Sequence, residues 1–280
     1  MNNTGISPNT TNHKGADTME LLRTNEVEQI RNMELLVEAL RSRGYLIRYL
    51  GNRLILQPGS GKWDLDLMKR MFEELQIEAK FSSEDTVIVG DFHFTEDMAE
   101  LVSMYRAFNQ ESWCPQHMRS WKTFVKRRHG YKLDTLTLDA GIAYMVKMLS
   151  KAGILTEMSC DGHGRKAPTI WFAGAWNAAW FEVVSGKLLE GGGELHYRWV
   201  VEEEARGHIL TAKKVSTGKW SLKHIQEDTM RIGAYLDKHA EELSCSKRKY
   251  FKYRSMKAQA DLLSQDYEML KMWMLEKVAR

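Results

Sequence analysis

The 280-residue chain predicts an α+β fold: two αββαββα-type units with antiparallel sheets, then a long C-terminal helix. Three observations carry the prediction. Apolar residues recur at helical spacing in six segments. Short apolar runs separated by turn residues lie between those segments. The order helix, strand, strand, helix, strand, strand, helix then occurs twice.

Residues 1–22 are rich in Ser, Thr, Asn and Gly without an apolar period and read as a disordered tail. A first unit spans 23–110. Ile30, Met33, Val37 and Leu40 share one helical face, Asn25 with Glu28 resembles a capping box, and Gly44 is a natural stop. Two apolar runs, 45–50 and 53–57, flank Gly51-Asn52, which predicts a hairpin. Leu65, Met68, Phe72 and Leu75 predict a helix over 64–76, with Asp64 and Asp66 favourable at its positive end. Strands are expected at 77–81 and 86–91, and a helix begins near Thr95.

Residues 111–135 read as an irregular basic linker. The second unit, 136–244, repeats the order. It has a helix over 138–152, strands at 154–159 and 169–173, and a helix over 175–189. Strands at 195–201 and 207–215 follow, and a helix capped by Ser221 runs from 221 to 241. The halves share no obvious residue identity. In the last segment, 245–280, Met256, Ala260, Leu263, Tyr267, Leu270 and Met274 keep a seven-residue period over about 247–278. That spacing fits a helix-pair contact with a second copy or a host protein, or a helix lying across its own domain.

Composition bounds the function. With 43% hydrophobic residues the chain can bury substantial cores, and no apolar run approaches the ~18 residues of a membrane span. The polar start and three widely spaced cysteines fit a cytoplasmic, reducing setting rather than a disulfide framework. Net charge is only +3, yet 112–133, 206–226 and 245–260 contain no acid and hold 17 of the 40 Lys and Arg residues. Clustered cations interleaved with aromatics point to nucleic acid first and an acidic protein surface second. Lys126, Arg127, Arg128, Arg165, Lys166, Lys247, Arg248 and Lys249 are the candidate anion contacts.

The densest chemistry lies in residues 153–165. Cys160 and His163 form a Cys-x-x-His unit, and Cys114 with His117 forms another. Together they would supply four ligands to a structural zinc ion; a core thiol and chance spacing are the bland alternative. Gly162 and Gly164 also allow backbone N–H groups to converge on an anion, with Arg165 and Lys166 beside them. In an enzymatic reading, Cys160 is a nucleophile or His163 an acid-base group, with Asp161 orienting it. That reading leads to a metal-dependent phosphoesterase, though no oxyanion hole or second carboxylate is evident.

The run Gly-Ile-x-Thr-x-x-Ser-Cys-x-Gly-His-Gly at 153–164, followed by Pro168-x-Ile170-x-Phe172, resembles a segment of uncharacterised phage and prophage proteins. The resemblance covers about 20 residues and implies a mobile-element accessory protein, either nucleic-acid-binding or an anti-defence inhibitor of a host complex. The order of elements is also similar to that of LAGLIDADG homing endonucleases. That family binds its metal through an acid where helix meets strand. The matching junctions here, Ser42-Arg43-Gly44-Tyr45 and Lys151-Ala152-Gly153-Ile154, hold none.

Overall fold

Each half of the chain builds a four-stranded antiparallel sheet, and both sheets have the same strand order. The computed structural model describes residues 13–82, 85–90, 92–106, 121–126, 132–190, 195–215 and 217–279, with side chains of α1 from Glu26 onward and of α6 up to Gly186. The first half contains α1 (His13–Arg43), β1 (Ile47–Leu50), β2 (Arg53–Leu56), α2 (Asp64–Glu74), β3 (Ala79–Phe81), β4 (Thr86–Val89) and α3 (Glu96–Ser103). The second contains α4 (Trp121–Lys126), α5 (Ala143–Lys151), β5 (Thr156–Cys160), β6 (Thr169–Phe172), α6 (Ala175–Glu190), β7 (Arg198–Glu204), β8 (Gly207–Lys213) and α7 (Leu222–Phe251). Helices α8 (Arg254–Leu263) and α9 (Tyr267–Ala279) close the chain. The sheet orders are β1-β2-β4-β3 and β5-β6-β8-β7.

The predicted hairpin forms in register, with Leu50 opposite Arg53 and Gly51 at φ 57° in the turn. Helix α3 is capped as expected, the Thr95 hydroxyl accepting from the Met98 N–H at 3.2 Å. Helix α7 is capped by Ser221, which accepts from the His224 N–H at 3.3 Å. Helix α6 buries Ala178, Ala179, Trp180 and Phe181 in succession, so this turn is enclosed on every side rather than amphipathic.

Four expectations are corrected. Helix α1 begins at His13, inside the stretch read as a tail; backbone helicity there extends a helix whose burial, among the described side chains, starts at Asn32. The basic linker is not irregular throughout. Its segment Trp121–Lys126 is α4, which places Trp121, Phe124 and Val125 in the core of the second unit. Trp121 and Phe124, two of the aromatics interleaved with the cations of 112–133, are therefore core residues. The terminal helix is divided. Helix α7 runs on to Phe251, and breaks at 252–253 and 264–266 fold α8 and α9 back. Ala260, Leu270 and Met274 are then buried against the chain's own core, so the seven-residue period is satisfied internally.

The units are joined by buried polar contacts. Arg43 is 1% exposed. Its Nε donates to the Tyr105 carbonyl at 2.5 Å and its Nη2 to the Leu138 carbonyl at 2.9 Å. Burial pulls its pKa down to about 10. At the junction of the first helix with the first sheet the chain thus places a guanidinium that satisfies carbonyls. Lys147 Nζ meets Asp64 Oδ2 at 2.6 Å across the units, both side chains being essentially inaccessible. Asp64 also accepts from the Gly61 and Thr135 N–H groups, so its charge is compensated on several sides. Gly44, at φ 107°, sits where a Cβ would lie 2.7 Å from that of Ala143; only glycine lets α1 end this close to α5. Among the described residues, no helix is long and apolar enough to cross a membrane.

Candidate functional site

Strand β5 delivers Cys160 to the edge of the second sheet, where the glycine loop begins. Asp161 is fully buried. It caps a single tight turn, its Oδ1 accepting from the His163 N–H at 2.9 Å. Three consecutive residues, Gly162, His163 and Gly164, have positive φ of 75°, 51° and 69°. Two are glycines, which adopt this geometry freely. His163 is not, and it is held there against its preference. That backbone turn folds the imidazole back over Cys160, with Nε2 at 3.6 Å from Sγ.

Two residues from outside the loop complete the cluster. Asp139 precedes α5 and its Oδ2 accepts from the Asp161 N–H at 3.1 Å. Arg106, just beyond α3 of the first unit, lies 3.6 Å from Asp161 Oδ2 and 3.5 Å from His163 Nδ1. The Gly141 N–H also donates to Asp161 Oδ2 at 3.3 Å. One ligand atom each from Asp139, Cys160, Asp161 and His163 falls within 4.8 Å of the others. Asp139 and His163 are partly open to solvent, at 31% and 46% side-chain exposure, whereas Asp161 is closed off.

The expected zinc ligands therefore divide. Cys160 and His163 do meet, and Asp139 with Asp161 can complete a four-ligand set. Cys114 and His117 lie outside the described residues, as do Arg127 and Arg128. The acids make the set harder than a double Cys-x-x-His site, but a thiolate and an imidazole still fit zinc. Its partial exposure differs from the closed structural site foreseen from the spacing. Nucleophilic chemistry at Cys160 is disfavoured, because burial pushes the thiol's pKa up and the neighbouring acids add to the effect. The open-nest reading is also corrected. The Asp161, Gly162 and His163 N–H groups converge, but on Asp139, on the Cys160 sulfur and on Asp161 itself. Those three backbone donors are therefore already taken.

No family model, curated protein or solved structure matches the chain.

The candidate cations separate into two groups. Arg165 and Lys166 are exposed beside the loop. A Cβ on Gly164 would lie 3.7 Å from Leu222 and from the Trp220 carbonyl, so the loop abuts the start of α7. Lys219 and Lys223, both exposed, flank that contact. Lys126, Arg248 and Lys249 belong to the other end of α7, where the Trp121 and Phe124 rings of α4 lie about 6 Å from Phe251. At 1.5 Å per residue, Lys249 is on the order of 40 Å along the helix from Leu222. Lys247 leaves the set altogether. It has no exposed surface, donates to the Gly153 carbonyl and lies over the Phe124 ring at 4.6 Å. Its neighbours in sequence are surface cations, but its own helical position faces inward.

Asp139 and Arg106 were not singled out from sequence. Asp139 had a signal: with Gly141 it places two helix-weakening residues within the expected start of a helix, and α5 in fact begins only at Ala143. Arg106 had none, because it reaches the loop from the other unit.

Proposed function

We propose that the protein binds a phosphate-bearing partner, nucleic acid foremost, on the face formed by the glycine loop and the start of α7, as an accessory protein of a phage or other mobile element. The observation that carries the reading is the group of exposed cations around one polar centre: Arg106, Arg165 and Lys166, with Lys219 and Lys223 adjacent. Cations on a rigid loop and a helix start neutralise phosphates without reading sequence. The likeness of the loop to phage and prophage segments supports the mobile-element setting. Zinc held by Asp139, Cys160, Asp161 and His163 would fix the loop and add charge to the same face. Filter binding of single- and double-stranded DNA and RNA tests the proposal. Four or five phosphate contacts give a loss of about 10²-fold in affinity between 50 and 200 mM salt. Binding that does not change with salt, or none at all, refutes it.

A second reading, metal-dependent phosphoester hydrolysis, is favoured by the solvent-open side of the cluster at Asp139 and His163. A metal held there by three of the four groups would lie beside the cations that hold a phosphate and would keep one position for a water that it could activate. Zinc-dependent cleavage of an activated phosphodiester, lost in Cys160→Ser and in Asp139→Asn, supports it. Cleavage unaffected by both substitutions refutes it.

A further inference from the structure

A second group of donor atoms lies outside the glycine loop. His196 stands on the segment leading into β7, while His224 and Glu227 are three residues apart on α7 and share one face. One ligand atom from each lies within 4.8 Å of the others. His196 Nε2 is 2.6 Å from Glu227 Oε2, and the two imidazole rings stack with centroids 4.1 Å apart and planes 9° from parallel. Two imidazoles and one carboxylate form a donor set suited to transition metals, and three ligands leave a tetrahedral ion one free position.

The groups are held by a buried frame. Asp228 is fully buried. Its Oδ1 accepts from the His196 N–H at 2.7 Å, and its Oδ2 accepts from the Tyr197 N–H and Trp199 Nε1, each at 3.0 Å. This one side chain fixes the backbone carrying His196 to the helix carrying His224 and Glu227. On the other side, the Tyr197 hydroxyl accepts from the Ser221 N–H at 3.0 Å, and Ser221 caps the turn containing His224. Both imidazoles are exposed, so a ring rotation is free to bring a nitrogen to the ~2.0–2.1 Å of a zinc bond.

We propose that His196, His224 and Glu227 form a binding site for a divalent metal ion of the zinc class, with its fourth position open to water or an anion. The site is separate from the Cys160 cluster and does not depend on the partner assigned to the basic face. Equilibrium dialysis of the full chain against zinc, after stripping with chelator, tests it. His196→Ala/His224→Ala loses one equivalent of bound zinc relative to the parent protein, whereas Cys160→Ser/His163→Ala retains that equivalent. Glu227→Gln keeps the shape of the side chain and weakens this equivalent by more than ~10-fold, the lower end of the effect of perturbing residues around a metal. Equal zinc content and affinity in the parent and His196→Ala/His224→Ala proteins overturns the proposal. So does an absence of zinc from both at micromolar concentration.

Discussion

Replacing Lys247 by methionine removes a buried amine and alters how stability depends on pH. Lys247 lies on the inward face of α7 against Phe124, and among the described residues no carboxylate pairs with it. Burial, reinforced by the Arg248 charge, pulls its pKa down from 10.5 to about 7. Between those values the unfolded chain holds a proton that the native chain has released. Stability therefore rises with pH across the window, by about 1.4 kcal/mol per unit, and this contribution is lowest and flat below pH 7. From pH 7.5 to 9.5 Lys247 alone adds roughly 2–3 kcal/mol. Methionine keeps the length and apolar contact but cannot titrate. It also leaves the Gly153 carbonyl without its donor, a pH-independent cost of about 1 kcal/mol. The raised tyrosines, such as Tyr105 and Tyr144 at about 12, lower stability only as pH passes 10.0, above the window. Urea unfolding of both proteins at half-unit pH steps measures the difference. The variant's stability curve is flatter than the parent's by the stated amount. Parallel curves from pH 7.5 to 9.5 would mean that Lys247 is charged throughout, and the argument would fail.

Lys147→Met leaves Asp64 buried without its cation and lowers stability by about 3–5 kcal/mol, whereas Lys147→Met/Asp64→Asn loses less; thermal unfolding of the two proteins compares them. Ser221→Ala removes the α7 cap and costs about 1 kcal/mol, read from the denaturant midpoint at constant m-value. Arg165→Ala/Lys166→Ala weakens nucleic-acid binding and reduces the salt slope by about 2, whereas Lys126→Ala/Lys249→Ala, at the far end of α7, leaves the slope at the loop unchanged; both come from the filter-binding titration.

Much of the secondary structure was legible because periodicity and caps are local. The Gly51-Asn52 hairpin, the Thr95 and Ser221 caps and the repeated order of elements follow from neighbours within a few residues. Cys160 and His163 were legible as a pair for the same reason, since a three-residue spacing in a tight turn leaves few arrangements. Charge runs were less informative. A run of cations says nothing about the direction of each side chain, and in Lys247-Arg248-Lys249 the helical turn of about 100° per residue sends the first into the core and the third into solvent.

By itself, then, the sequence determined the α+β class, the two successive sets of strands and helices, and the residues of the glycine loop. Only the tertiary structure decided that Asp139 and Arg106 join that loop, that three of its backbone donors are already occupied, and that the terminal heptads cover the chain's own core. The physical reason is range. Hydrogen-bonded turns and amphipathic faces are set over three to seven residues. The meeting of Arg106 with His163, or of His196 with Glu227, depends on how whole helices and sheets pack, and no local pattern encodes that distance.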